Sequence, residues 1–131
     1  MDQIDRILSA APFNLDASGR DWVRTTLSGM DRAKKVRQLF VHLCFGTGQE
    51  VVDRISSLAP AGVTKFFGPD AQAELDTLDA LRSSADIPYL VSSDLEGSRM
   101  SPSFGTEVPN PLALAAVDDV QASTTIARIM A

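Results

Sequence analysis

From Asp21 onward the apolar positions alternate between two patterns, one recurring every three or four residues and one running unbroken for about five, with glycine, proline and capping residues at each change. Val23, Leu27 and Met30 share a helical spacing that Ser28-Gly29 stops, and Asp31 is placed to cap a second helix with Val36, Leu39 and Phe40 inward. Val41 to Phe45 then predicts a strand closed by Gly46-Thr47-Gly48, and Val51, Val52, Ile55 and Leu58 fall on one face of a following helix. Pro60-Ala61-Gly62 breaks that helix, Val63-Thr64-Lys65-Phe66-Phe67 predicts a second strand, and Gly68-Pro69-Asp70 supplies a turn and an N-cap. The next helix starts at Ala71 with Leu75, Leu78, Leu81 and Ala85 inward, its acids early and Arg82 late as the helix dipole prefers.

Pro88 opens a third strand, Tyr89-Leu90-Val91-Ser92-Ser93, expected to be buried because parallel sheets cover both faces of their strands. It delivers Asp94-Leu95-Glu96-Gly97-Ser98-Arg99 at its carboxyl end, where ligands of α/β sheets collect. The stretch from Met100 to Val117, with Pro102, Gly105, Pro109 and Pro111, reads as a long connection of the kind that is often functional. Asp118 and Gln121 fit a capping box for a last helix whose Ala122, Ile126 and Ile129 form one face. That face is still running at Ala131, so the chain is expected to be cut short at its C-terminus. Residues 1–20 lack sustained periodicity and read as an irregular N-terminal arm ahead of a domain over residues 21–131.

Strand followed by helix, repeated, predicts an α/β protein with parallel strands and right-handed crossovers, either an open doubly wound sheet or part of a (β/α)8 barrel. Three strands fit both, and a full barrel needs about 250 residues. The 131 residues suit one domain, and no apolar run approaches the length of a membrane span. Acids in Met1-Asp2-Gln3-Ile4-Asp5-Arg6 stand where a secretory signal carries basic residues, so a cytoplasmic protein is expected. A net charge of -5 with scattered Lys and Arg offers no footprint for a phosphate backbone, so nucleic acid is not an expected partner, nor is a membrane.

Candidate chemistry centres on Asp94 and Glu96. Residues two apart on a strand point the same way while the extended geometry lasts, so both carboxylates can face one pocket, with Gly97 turning the chain away. Such a pair fits three roles: accepting hydrogen bonds from sugar hydroxyls, acid/base or nucleophilic work of the glycosidase type, and holding a hard cation such as magnesium. Against these stands capping of neighbouring loops or pairing with Arg99. Two residues apart, however, they are neighbours on one wall, whereas a glycosidase needs groups flanking the bond from opposite sides. His42 and Cys44, the single histidine and cysteine, lie inside the first strand and read as core residues; no disulfide or thiolate metal cluster can form. Gly46-Thr47-Gly48 lacks the third glycine and lysine of phosphate-binding loops and reads as a tight turn, and Asp118-Asp119 reads as helix capping. No cofactor or metal is expected.

Taken in order, Trp22-Val23, Val36-Arg37-Gln38-Leu39-Phe40, Ser93-Asp94-Leu95-Glu96-Gly97-Ser98-Arg99, Phe104-Gly105-Thr106 and Pro109-Asn110-Pro111-Leu112-Ala113-Leu114-Ala115-Ala116 resemble the N-terminal barrel domain of glycoside hydrolase family 3, which includes β-glucosidases and β-N-acetylglucosaminidases. The resemblance implies the N-terminal part of a (β/α)8 barrel, about three βα units with extra N-terminal helices, and a retaining β-glycosidase that acts on a β-linked sugar or glycoside. It assigns Asp94 to the hydroxyls of the sugar where cleavage occurs, and makes Glu96, Gly97 and Arg99 supports of that loop. It places the aspartate nucleophile, the Lys-His segment and the acid/base group past residue 131, so that no catalytic residue is expected within the chain, which alone is expected to be inactive. Ser98 departs from the second glycine of the family's Asp-x-Glu-Gly-Gly and adds a side chain where the backbone needs to approach ligand or adopt positive φ. Arg37 and Phe67-Gly68-Pro69 also depart from the family pattern. An alternative expectation is a non-catalytic fragment that binds sugars or completes a barrel with a partner chain, associating through an exposed sheet edge. A phosphoacceptor domain of the receiver type is disfavoured, because the first strand ends in Phe45-Gly46 and not in acids.

Overall fold

The computed structural model describes residues 3–131. The chain divides into two compact units, one up to Val36 and one from Arg37 to Ala131. In the first, α1 (Gln3–Ser9) and α2 (Ala17–Gly29) are tied by Asp5, which takes Arg24 Nη2 at 2.9 Å and Arg20 Nε at 3.7 Å. The segment read as an irregular arm therefore holds a helix that too few apolar repeats announce. Asp16 starts α2 by accepting from the Gly19 amide at 2.8 Å, and Gly29 ends it. Asp31 caps α3 (Arg32–Arg37) from the Lys34 amide at 2.7 Å. The inward face expected of Val36, Leu39 and Phe40 does not form: α3 ends at Arg37 and all three are exposed.

The second unit is a three-stranded parallel sheet in the order β1 (Val41–Phe45), β2 (Gly62–Phe66), β3 (Leu90–Ser92). Its amino end is laced by Ala61 N–H to the Phe40 carbonyl, Leu90 N–H to the Ala61 carbonyl, and the Gln38 amide to the Ala59 and Pro60 carbonyls. Helices α4 (Gln49–Leu58) and α5 (Ala71–Ser84) pack together on one sheet face, over a core of Cys44, Val51, Val52, Ile55, Val63 and Leu81. Buried Cys44 behaves as the small hydrophobe expected, its thiol pKa pushed up by desolvation. Gly46 and Gly48, at φ +77° and +88°, make the turn into α4, and the Gly48 amide is satisfied by Thr77 Oγ1 at 2.9 Å.

Two expectations about burial fail here. On α5 the buried positions are Glu74, Thr77 and Leu81, while Leu75 is exposed. The helix is rolled because Glu74 turns inward to meet Lys65, which is fully buried at the carboxyl end of β2. On β3 every residue is exposed, because it is an edge strand and because only one face of the sheet is covered. The other face presents Val41, Leu43, Phe45 and Leu90 at 53–71% exposure.

The stretch from Met100 to Val117 is not all connection. Asn110 accepts from the Ala113 amide at 2.9 Å and Pro111 occupies the first turn of α6 (Pro111–Val117), an Asn-Pro start legible in the sequence. The capping of the last helix, α7 (Val120–Met130), shifts by one residue: Asp119 accepts from the Gln121 amide at 2.7 Å, whereas Asp118 closes α6 in the left-handed conformation. No helix among the described residues is long and apolar enough to cross a membrane.

Candidate functional site

Parallel strands that share one direction present their carboxyl ends together, and the ends of β2 and β3 enclose a small cavity of about 80 Å³. It is lined by the aromatic pair Phe66 and Phe67 after β2, by Ser93, Asp94 and Leu95 after β3, and by Arg99 to Pro102. The regular ladder stops at Thr64–Ser92. One side-chain bond continues the association, Ser93 Oγ donating to the Lys65 carbonyl at 2.8 Å, and Asp94 follows it immediately.

The loop that carries Asp94 is fixed by backbone. Gly97 is buried at φ +85° and ψ 178°, a region essentially reserved for glycine, and it turns the chain into a 3-10 turn over Ser98–Met100. Ser98 N–H donates to the Val108 carbonyl at 2.7 Å, Ser101 N–H to the Ser98 carbonyl at 2.9 Å, and Val108 N–H to Ser101 Oγ at 3.3 Å. Val108 itself is 4% exposed, so the following segment is clamped over the turn. Ser98, where the family pattern has a second glycine, lies at φ +47°. A non-glycine side chain there carries a left-handed strain of about 1 kcal/mol. Ser98→Gly is expected to stabilise the protein by roughly 0.5–1 kcal/mol, seen as a higher urea midpoint with an unchanged slope.

Asp94 and Arg99 line the cavity and Glu96 does not. The alternation that would bring both carboxylates to one side lapses because β3 ends at Ser92, two residues before Asp94. Among the described residues no ion pair reaches Asp94, Glu96 or Arg99, and no cluster of metal-ligating side chains forms. Asp94 is exposed, a carboxylate with its acceptor positions open to a ligand.

Sequence reasoning overlooked the aromatic pair and what lies beside it. Lys65 Nζ donates to the Gly46 carbonyl at 2.8 Å and the Phe66 carbonyl at 3.3 Å, meets Glu74 Oε2 at 2.6 Å, and lies 5.8 Å from the Phe67 ring centre. Glu74 Oε1 accepts from the Gly68 amide at 2.6 Å; the approach of Lys65 leaves Oε2 in a close charge contact without an aligned hydrogen bond. The signal was a lysine inside the apolar run Val63–Phe67, which only a buried partner makes tolerable.

No family model matches the chain. It is 33% identical over 123 residues to a β-N-acetylglucosaminidase/β-glucosidase of Cellulomonas fimi, an alignment spanning 91% of this chain and 22% of that protein. Its structure is similar to that of β-glucoside phosphorylase BglX bound to 2FGlc, with a TM-score of 0.74 and 27% identity over 89% of this chain and 22% of that one. For a second structure of β-glucoside phosphorylase BglX the TM-score is 0.72 and the identity 26%, over 89% of this chain and 20% of that one. The chain thus spans about a fifth of the length of the relatives it matches.

Proposed function

We propose, on the premise that the homologues of this chain are family 3-type β-glucosidase/β-N-acetylglucosaminidase proteins, that it forms one wall of a β-glycoside site, in which Asp94 holds the sugar without attacking it. The observation that carries this reading is the placement of Asp94 alone, without Glu96, at the cavity where β2 and β3 end. A carboxylate there accepts charge-assisted hydrogen bonds from neighbouring hydroxyls. Retaining cleavage requires two carboxyl groups about 5–5.5 Å apart on opposite sides of the bond, and Glu96 is not among the residues that line the cavity with Asp94. The nucleophile of this reading lies outside the residues described.

Architecture supports it. β1, β2 and β3 follow one another with α4 and α5 on the same face, an order that one half of a doubly wound sheet also has. That is the arrangement of consecutive βα units in a (β/α)8 barrel, whose active site forms at the carboxyl ends of the strands.

The 131-residue chain is expected to bind glucose or N-acetylglucosamine weakly and to turn over no aryl β-glycoside. Asp94→Asn is expected to weaken binding about tenfold or more, the worth of hydrogen bonds to a charged acceptor, measured by titration followed by NMR. Grafted into the Cellulomonas fimi relative in place of its matching segment, the chain is expected to support turnover that Asp94→Asn abolishes. Assays with and without inorganic phosphate distinguish phosphate from water as the acceptor. Turnover by the isolated chain that depends on Asp94 would sink this reading.

A second reading has its own observation, the apolar sheet face of Val41, Leu43, Phe45 and Leu90. In it the chain completes a barrel with a partner polypeptide and has no sugar chemistry of its own. It predicts association that rises with concentration; a monomer at all concentrations in sedimentation counts against it.

A further inference from the structure

The open sheet face and the Asp94 cavity meet at Phe66. Phe45 and Phe66 are register partners at the carboxyl ends of β1 and β2, and their rings stack with centres 4.6 Å apart and planes 15° from parallel. A ring stacked so closely covers one face of Phe66. The same Phe66 lines the cavity that holds Asp94. Phe45 is 55% exposed, although it stands in a strand where apolar residues ordinarily find cover. Beside them Phe67 is contacted from two directions, by Lys65 at 5.8 Å from its ring centre and by Phe104 edge-on with ring centres 5.8 Å apart.

We propose that the Phe66 ring, backed by Phe45, is the platform on which the apolar face of a pyranose rests while Asp94 holds its hydroxyls. This rests on the reading of Asp94 as a sugar-holding residue and adds to it the aromatic residue that sets the preference among sugars. A pyranose whose hydroxyls are all equatorial turns only C–H bonds to each ring face, and such a face suits the electron-rich surface of an aromatic ring. An axial hydroxyl directs an oxygen toward that surface and loses both its hydration and the apolar contact. The platform therefore selects the gluco series, N-acetylglucosamine included, over sugars with an axial hydroxyl on the face presented.

The test is saturation transfer and titration by NMR with the 131-residue chain, using glucose, N-acetylglucosamine and the axial epimers galactose and mannose. Saturating the phenylalanine ring protons is expected to reach the axial protons of one sugar face in preference to those of the other. Phe66→Leu retains apolar bulk and removes the ring; it is expected to weaken glucose binding roughly three- to tenfold and to narrow the gap between glucose and its epimers. Phe45→Leu is expected to have a smaller effect in the same direction. Circular dichroism and the urea midpoint establish that each variant is folded.

If Asp94→Asn weakens binding while folded Phe66→Leu leaves both affinity and epimer preference unchanged, the platform is overturned and the Asp94 reading stands. If Phe66→Leu weakens binding and Asp94→Asn does not, the Asp94 reading fails and the ring remains a binding element. Absence of any sugar binding by the wild-type chain overturns both.

Discussion

Glu74→Ala is expected to destabilise the protein by about 3–5 kcal/mol, the range for breaking a buried ion pair by removing one partner. The side chains of Lys65 and Glu74 are 0% and 2% exposed, so the lysine left behind has no water to turn to. It would retain only the Gly46 and Phe66 carbonyls, and the Gly68 amide would lose its acceptor. Against a total stability of about 5–15 kcal/mol for a domain, that loss is close to unfolding. Urea unfolding of the single variants and of Lys65→Met with Glu74→Leu separates two causes. If the cost lies in the uncompensated charge, the double variant recovers most of it, because an apolar pair of similar volume is often neutral in such places. If the double variant is as unstable as Glu74→Ala, the Gly68 amide carries the energy instead. The Phe67 ring, which Lys65 contacts, is expected to loosen in either single variant, broadening its signals in NMR.

The same pair shows where the sequence was readable and where it was not. Val41–Phe45 and the helix of Val51, Val52 and Ile55 were legible because an unbroken apolar run and a helical spacing are separated by glycines, although of the strand only Cys44 joins the three helix residues in the core. The Asp70 cap was legible for a local reason, since its carboxylate bonds to amides two and three residues on. The face of α5 was not: hydrophobic spacing favours Leu75 and Leu78, but burying Lys65 demands a buried acid, and Glu74 rotates the helix to supply it. A rule that weighs one element at a time cannot see a charge satisfied by another.

Burial of β3 was misjudged for a related reason. A run such as Tyr89-Leu90-Val91 states that its side chains are suited to cover on both faces, not that this chain supplies the cover. The site divides the same way. Asp94 was singled out by its position after an apolar run, a local signal; its separation from Glu96 depends on where the ladder ends, and its neighbours Phe66 and Phe67 come from another strand 27 or more residues earlier.

Gly97→Ala is expected to remove the Asp94 loop from its place at a cost of roughly 2–5 kcal/mol, combining backbone strain with overpacking. At φ +85° and ψ 178° an L side chain is strained whatever the space, and here there is none: an added Cβ would press on the Pro109 carbonyl and lie 2.7 Å from the Val108 oxygen. The bond from Ser98 N–H to that same Val108 oxygen would open, and with it the clamp on the 3-10 turn. Because the damage is confined to a loop, the core of Cys44, Ile55 and Val63 is expected to keep its protection in hydrogen exchange while amides from Ser98 to Val108 lose theirs. Sugar binding would fall with them if Asp94 is positioned by this turn. Gly105→Ala is the matched control in the same loop: its nearest neighbour is the Pro102 oxygen at 3.5 Å, an ordinary contact, and its stability is expected to change by less than about 0.5 kcal/mol. Equal loss of protection in both variants would mean that the loop is sensitive to any side chain and that Gly97 holds no special place in it. Loss in Gly97→Ala alone, together with weakened sugar binding, would establish the turn as the element that sets Asp94 against Phe66.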